Sequence, residues 1–392
     1  MVNGWPYFLL LLIYGCLALL YHSIDDKRAR GLIQVSSVIL FIIFFGLRGF
    51  IFYDWKSYFS WFASLDTSIQ KTIQSFSGFL VNRPFEPLFT LLGVCCKIIY
   101  DDYHFFVFVC TSLNLFLLIR FFTRNNVYNL PLALLVFLSL NGIYLSTDLM
   151  RCSIALFLFA NALEYIPQKK PLKYFFICIV ACGFHISSII YFPLYFILGK
   201  RIPKWLYITI FTIINIVYIF RISILGSVLS LCESVIPDWM YSSLSWYYKS
   251  SKAPGPIISL GYLERFFSGV LVFLFIDKLR QHRKNADVFI NSFLIFIAFY
   301  LCFFDSRVIG TRFAYMLNYS YWILWIDLIS CFTLRNNKIL FVSFVAIYCF
   351  IKTFSIGQDP FSHYENILFK HSTYQEKELF FRQNFNLLQK MN

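Results

Sequence analysis

The stretch "YLSTDLMRCSIALFLFANALEY", residues 144–165, sets Asp148 and Arg151 three positions apart between two apolar runs. Both runs are long enough to suggest membrane, and neither alternates as a strand would. The stretch reads as the end of one helical span and the start of the next, with two ionisable groups at the joint. An ionisable side chain inside a span costs on the order of 2.5 to 3.5 kcal/mol, so each one implies a partner, a wet cavity or a function.

Working outward, similar apolar runs recur over nearly the whole chain. Of its 392 residues 59% are hydrophobic and only 14% charged, with 49 Phe and 26 Tyr, a balance that excludes an ordinary soluble domain. Spans are predicted to start near residues 5, 32, 84, 104, 130, 152, 174, 205, 262, 287, 311 and 338, about 10 to 12 membrane segments. The first, Trp5 to Tyr21, has neither a basic leader nor a small-residue cleavage site and reads as a retained helix. The expected fold is an all-α polytopic membrane protein. One membrane domain covers residues 1–356, with outer loops at about 48–83 and 222–261, and a short polar tail follows at 357–392.

The net charge of +14 does not imply nucleic acid, because the lysines and arginines sit in short loops. These are "DDKRARG" (25–31), "PQKKPLK" (167–173), "GKRIPK" (199–204), "DKLRQHRK" (277–284) and "TLRNNKI" (333–339). That distribution marks cytoplasmic loops. The 11 cysteines lie mostly inside apolar runs without metal-like spacing and read as small core residues.

Parity then constrains the path. Residues 174–198 are flanked on both sides by basic loops, which predicts a hairpin of two short helices turning near "GFHISS" (183–188). Between Arg48, outside, and "RFFTRNN" (120–126), inside, one of two segments must dip in and return. Broken helices at membrane depth persist only where they are buried in protein or line a cavity, which is where a site belongs.

The remaining ionisable residues collect on the non-cytoplasmic side. They are Arg48 and Asp54 in "FGLRGFIFYDWKSYFSWF" (45–62), Arg83 and Glu86 in "VNRPFEPLF" (81–89), Asp148 and Arg151, His185, and Asp305, Arg307 and Arg312 in "FFDSRVIGTRFAY" (303–315). Each has a purely structural reading. Asp148 and Arg151, or Arg83 and Glu86, pair at i and i+3; Arg48 snorkels; Asp54 caps a helix; His185 is a satisfied core histidine; Asp305 neutralises one of its arginines. Counted together, arginines outnumber the carboxylates available to pair them, which favours an anionic ligand such as a diphosphate. With no DxD, no HExxH and scattered histidines, neither a metal nor another cofactor is expected.

In ordered set, "LRGFIFYDWKSYF" (Arg48, Asp54, Tyr58), "RPFEPLF" (Glu86, Pro87), "LMRCSIALFLFA" (Arg151), "ACGFHISSIIYFPLYF" (His185) and "GTRFAYMLNYSYW" (Arg312) resemble the EpsG/Wzy-like family of polysaccharide polymerases. The chain departs from that pattern at Tyr53, where a glycine is expected, and at Cys152, where a glutamine is. The resemblance implies a GT-C-like architecture and a glycosyltransferase in the bacterial cytoplasmic (inner) membrane, acting at its periplasmic face. It would polymerise oligosaccharide repeat units carried on undecaprenyl diphosphate, with a chain-length regulator as a possible partner beside the lipid bilayer itself.

The roles expected on this basis are diphosphate binding for Arg48, Arg151 and Arg312, with Arg307 as a weaker fourth. His185, or else Asp54 or Glu86, serves as catalytic base, and Trp239, Tyr241, Trp246 and Tyr247 of the second outer loop stack on sugars. Two alternatives stay open. One is an O-antigen ligase or other lipid-linked glycosyltransferase; the other is a flippase or transporter for lipid-linked oligosaccharide.

Overall fold

The computed structural model describes residues 2–75, 85–250, 257–369 and 371–391. Among them there is no strand; the chain is an all-α polytopic membrane protein. Five helices are long and apolar enough to cross a membrane: Trp5–Ser23, Lys27–Gly46, Tyr103–Arg124, Leu130–Thr147 and Arg335–Ile356. Shorter apolar helices accompany them at Pro87–Ile99, Pro171–Phe184, Ile186–Leu198, Lys204–Ile219 and Ala286–Cys302.

Local sequence explains where these helices begin. Prolines occupy the first turn of Trp5–Ser23, Pro87–Ile99, Leu130–Phe137 and Pro171–Phe184, where a missing N–H costs nothing. Asp26, Asp102 and Asn129 cap their helices, each accepting a hydrogen bond from the backbone N–H three residues on.

The chain divides into two compact units. The first comprises Met1–Tyr165, Lys170–Phe192 and Val342–Asn392. In it the basic loops gather at one end: Gln34 donates to the Tyr128 carbonyl, Asn129 to that of Ala18, and Arg124 pairs with Glu164. Arg48 lies at the opposite end, bonded to the Thr147 carbonyl, with Phe50 stacked on Tyr103. The predicted hairpin is present. Pro171–Phe184 stops at an extended His185, and the 3-10 turn Ile186–Tyr191 folds back, so that the Tyr174 hydroxyl donates to the Tyr191 carbonyl at 2.6 Å.

Between Arg48 and residue 120, the segment too short to cross is Pro87–Ile99. Its 13 residues span about 20 Å, short of the roughly 30 Å hydrocarbon core. Lys97 near its far end donates to the Phe62 and Ala63 carbonyls, and the next helix starts at Tyr103, on the Arg48 side.

The tail does more than lie on the surface. Gly49 N–H donates to the Glu365 carbonyl, Ile367 N–H to that of Leu47 and Phe52 N–H to that of Phe361, so residues 361–367 run antiparallel to 47–52. Helix Tyr374–Met391 follows, with Tyr374 stacked on Phe59 at 4.2 Å. Buried Lys377 reaches back to Glu365 at 2.7 Å. The beginning of the chain joins the same layer, since Tyr7 donates to the Ser362 carbonyl.

The second unit comprises Ile166–Lys169 and Pro193–Phe341. Its core holds Trp322 and Trp325 on helix Tyr319–Cys331. Arg283 is bidentate to Asp327 at 2.6 and 2.8 Å, which fixes a basic loop to that helix. The stretch expected as its outer loop is helical at Leu225–Cys232 and Asp238–Ser250.

Candidate functional site

Three segments of the first unit converge on Glu86, which is 3% exposed at the start of helix Pro87–Ile99. Arg151, in the first turn of Met150–Ala162, donates Nη1 to Glu86 Oε2 at 2.6 Å. His185, at the break of the hairpin, sets Nδ1 3.2 Å from Oε1, and the Ile186 N–H donates to the same oxygen at 3.1 Å.

Burial acts to raise the Glu86 carboxyl. The His185 hydrogen bond and the Arg151 charge outweigh it and lower the carboxyl from 4.5 to about 2. The group is therefore an anion and only accepts, which assigns the proton to His185 Nδ1 and leaves Nε2 with a lone pair. The arrangement is a base held by a carboxylate.

Arg151 carries more donors than Glu86 takes. Its guanidinium lies 4.4 Å from the Phe85 ring centroid and 5.9 Å from that of Tyr58, and its side chain keeps 29% of its surface exposed. Its Nε is buried without a hydrogen-bond partner among the described residues. A buried charged donor left unmet is costly, and the exposed share of the guanidinium is the part an anion can approach.

Asp148 does not pair with Arg151. Leu149 leaves helical geometry at φ −94°, ψ 50°, so the two side chains do not share one helix face and the i, i+3 relation fails. Asp148 instead accepts the backbone N–H groups of Tyr53 and Asp54, at 3.1 and 2.7 Å. Burial, together with the nearby Asp54 charge, raises the Asp148 carboxyl above the usual carboxylate range. The turn it holds is strained: Phe52, fully buried, has φ 65°, the left-handed region a bulky side chain avoids.

Arg48 is also placed differently from the expectation of a guanidinium facing phosphate. It is 3% exposed and donates to the Phe45 carbonyl (2.6 Å), Thr111 Oγ1 (3.1 Å) and the Thr147 carbonyl (3.0 Å). The tail segment covers it, and its bonds join the ends of two spans and the middle of a third.

Arg83 lies outside the described residues. In the second unit Arg312 is exposed on helix Arg307–Tyr315, and Ser223 donates to Asp305 Oδ2 at 2.6 Å. The Arg307, Trp239 and Tyr247 side chains also lie outside the described residues. Tyr241 is half-buried and Trp246 exposed on helix Asp238–Ser250. Among the described residues no group of His, Cys, Asp and Glu is arranged to hold a metal ion.

Sequence reasoning named Glu86, Arg151 and His185 separately but not their pairing, which joins Glu86 to residues 65 and 99 positions away. It missed Thr111 and the tail, for which no local pattern gives a signal. Compared with known proteins, the chain matches the EpsG family model over residues 32–368. No curated protein and no solved structure matches it.

Proposed function

Because the chain belongs to the EpsG family, we propose that it is a membrane glycosyltransferase that polymerises oligosaccharide repeat units carried on undecaprenyl diphosphate. In this reading the basic loops face the cytoplasm, and the Glu86 cluster then works at the periplasmic face of an inner membrane. The observation that carries the reading is the sharing of Glu86 between Arg151 and His185. One carboxylate orients both a cation with an unmet buried donor and an imidazole with a free lone pair.

In this mechanism an acceptor sugar hydroxyl attacks the anomeric carbon of the donor. Its proton passes to His185 Nε2 as the new C–O bond forms. The bond from the anomeric carbon to the diphosphate oxygen breaks, and its electron pair leaves with the lipid diphosphate. Arg151 neutralises the charge that develops there. His185 then returns its proton to bulk or to the departing phosphate.

Glu86 is a positioning residue here, since it acts through its partners. Arg48 and Asp148 hold the span ends and the 53–54 turn. Asp54, on that turn, is the alternative base, and Arg312 and Arg307 enter the reading from the sequence motif alone. The outer-loop aromatics Trp239, Tyr241, Trp246 and Tyr247 are assigned to sugar stacking on the same basis.

The test is replacement of the native protein by R151A, H185A or R312A and electrophoresis of the surface glycan. Loss of the long-chain ladder with a core bearing one repeat unit is expected for R151A and H185A. Normal ladders from both at wild-type protein level remove the site assignment. A core bearing no repeat unit would instead indicate a ligase. Product formation from one purified lipid-linked repeat in detergent separates an enzyme from a flippase.

A further inference from the structure

A cavity lies in the first unit, apart from the Glu86 cluster. It is an open cleft of about 350 Å³ between helix Trp55–Ser64, the start of helix Tyr103–Arg124 and the tail at 371–374. Its walls are aromatic, with Phe59 stacked on Tyr374 at 4.2 Å and Tyr103 beside them. Its polar groups include Asp101, Asp102, His104, His371, Ser372 and Thr373, with the two imidazole rings 5.8 Å apart. The Nδ1 atom of His104 is buried without a hydrogen-bond partner among the described residues. Asp101 is exposed, with Lys97 as its ion partner at 3.8 Å.

The chemistry of this lining is selective. No lysine or arginine lines the cleft among the described residues, so it does not suit a phosphate. Aromatic surface with a few convergent acceptors and an unmet ring nitrogen suits a hydroxyl-rich ligand that also presents an apolar C–H face. The volume is at the small end of ligand pockets, the size of one or two sugar rings. Helix Trp55–Ser64 joins the two places, since Tyr58 lies toward Arg151 while Phe59 and Phe62 line the cleft.

We propose that this cleft is a glycan subsite, binding an uncharged or amino sugar of the repeat unit or growing chain away from its diphosphate. The inference rests on the polymerase reading for the identity of the glycan, and not for the existence of the site. The tail supplies His371 and Tyr374, so residues 371–374 take part in substrate choice as well as in folding.

The test uses purified full-length protein in detergent and saturation-transfer NMR. The probe is the phosphate-free oligosaccharide fraction from mild acid hydrolysis of the cell's own surface polysaccharide, which carries no lipid. Wild type is expected to bind, and D101N/H371A to bind at least tenfold more weakly. If the double variant is not monodisperse, H371Q alone, at an exposed position, is expected to weaken binding about threefold. No binding to wild type, or equal binding to the cleft variants, overturns the subsite. Binding to the cleft by a protein that never extends a lipid-linked repeat removes the polymerase reading and leaves the subsite standing.

Discussion

Replacing Glu86 by Gln isolates the contact on which the site depends. The substitution keeps the shape and removes the charge that Arg151 and His185 share. The carboxyl is lowered from 4.5 to about 2, and at roughly 1.36 kcal/mol per pH unit the gap corresponds to about 3 kcal/mol of stability. The same figure follows from breaking a buried ion pair, at the lower end of about 3 to 5 kcal/mol because Arg151 keeps 29% exposure.

The sign is definite. A depressed carboxylate stabilises the fold above the unfolded value, and that contribution is lost as pH falls from 4.5 toward about 2. E86Q should therefore unfold more easily than wild type at pH 7, by about two orders of magnitude in the folded-to-unfolded ratio. The difference should shrink as both are acidified. Denaturant titration of the purified protein in detergent at about pH 7 and about pH 3.5 reads both quantities. Polymerisation should fall by a factor of about 10² to 10⁴, since His185 loses the anionic acceptor that fixes its tautomer and stabilises its protonated form. Equal stability at pH 7, or a gap that persists unchanged in acid, would refute the reasoning.

Other substitutions probe the surroundings. R151K keeps the charge but not the fork, so product formation from a lipid-linked repeat should fall at least tenfold while stability changes less than in R151A. D148A leaves the Tyr53 and Asp54 N–H groups unmet and should cost about 2 to 4 kcal/mol on chemical unfolding. Because the Asp148 carboxyl is raised, the folded state holds its proton more tightly than the unfolded chain. Wild-type stability relative to D148N should thus be greatest in acid and decline as pH rises past the usual carboxylate range. G183A would place a methyl 2.5 Å from Leu88 Cδ1, between the hairpin and helix Pro87–Ile99, and should lower the unfolding free energy by about 1 to 3 kcal/mol, read by denaturant titration.

The hairpin at His185 and the presence of one non-crossing segment between Arg48 and residue 120 were legible in the sequence because charge parity is a global constraint that one chain displays in full. The partner of Arg151 was not. Spacing suggested Asp148, yet spacing decides only inside an unbroken helix, and Leu149 ends that continuity. Arg48 was correctly placed at the end of a span, but its burial depends on tail residues more than 300 positions away, which hydropathy does not connect. The pairing of 47–52 with 361–367 lacks a periodic signal, being made by backbone groups on which side-chain identity leaves little mark.

That same pairing bears on the timing of biogenesis. The loop carrying Arg48 reaches the membrane early in translation, whereas the segment that covers it leaves the ribosome only after the last span. Until then the 47–52 backbone lacks its partners, and the cleft residues His371 and Tyr374 do not yet exist. A nascent or prematurely terminated chain would insert its helices but carry an unfinished outer layer. The proposed glycan cleft would thus be completed only by residues made after helix Arg335–Ile356.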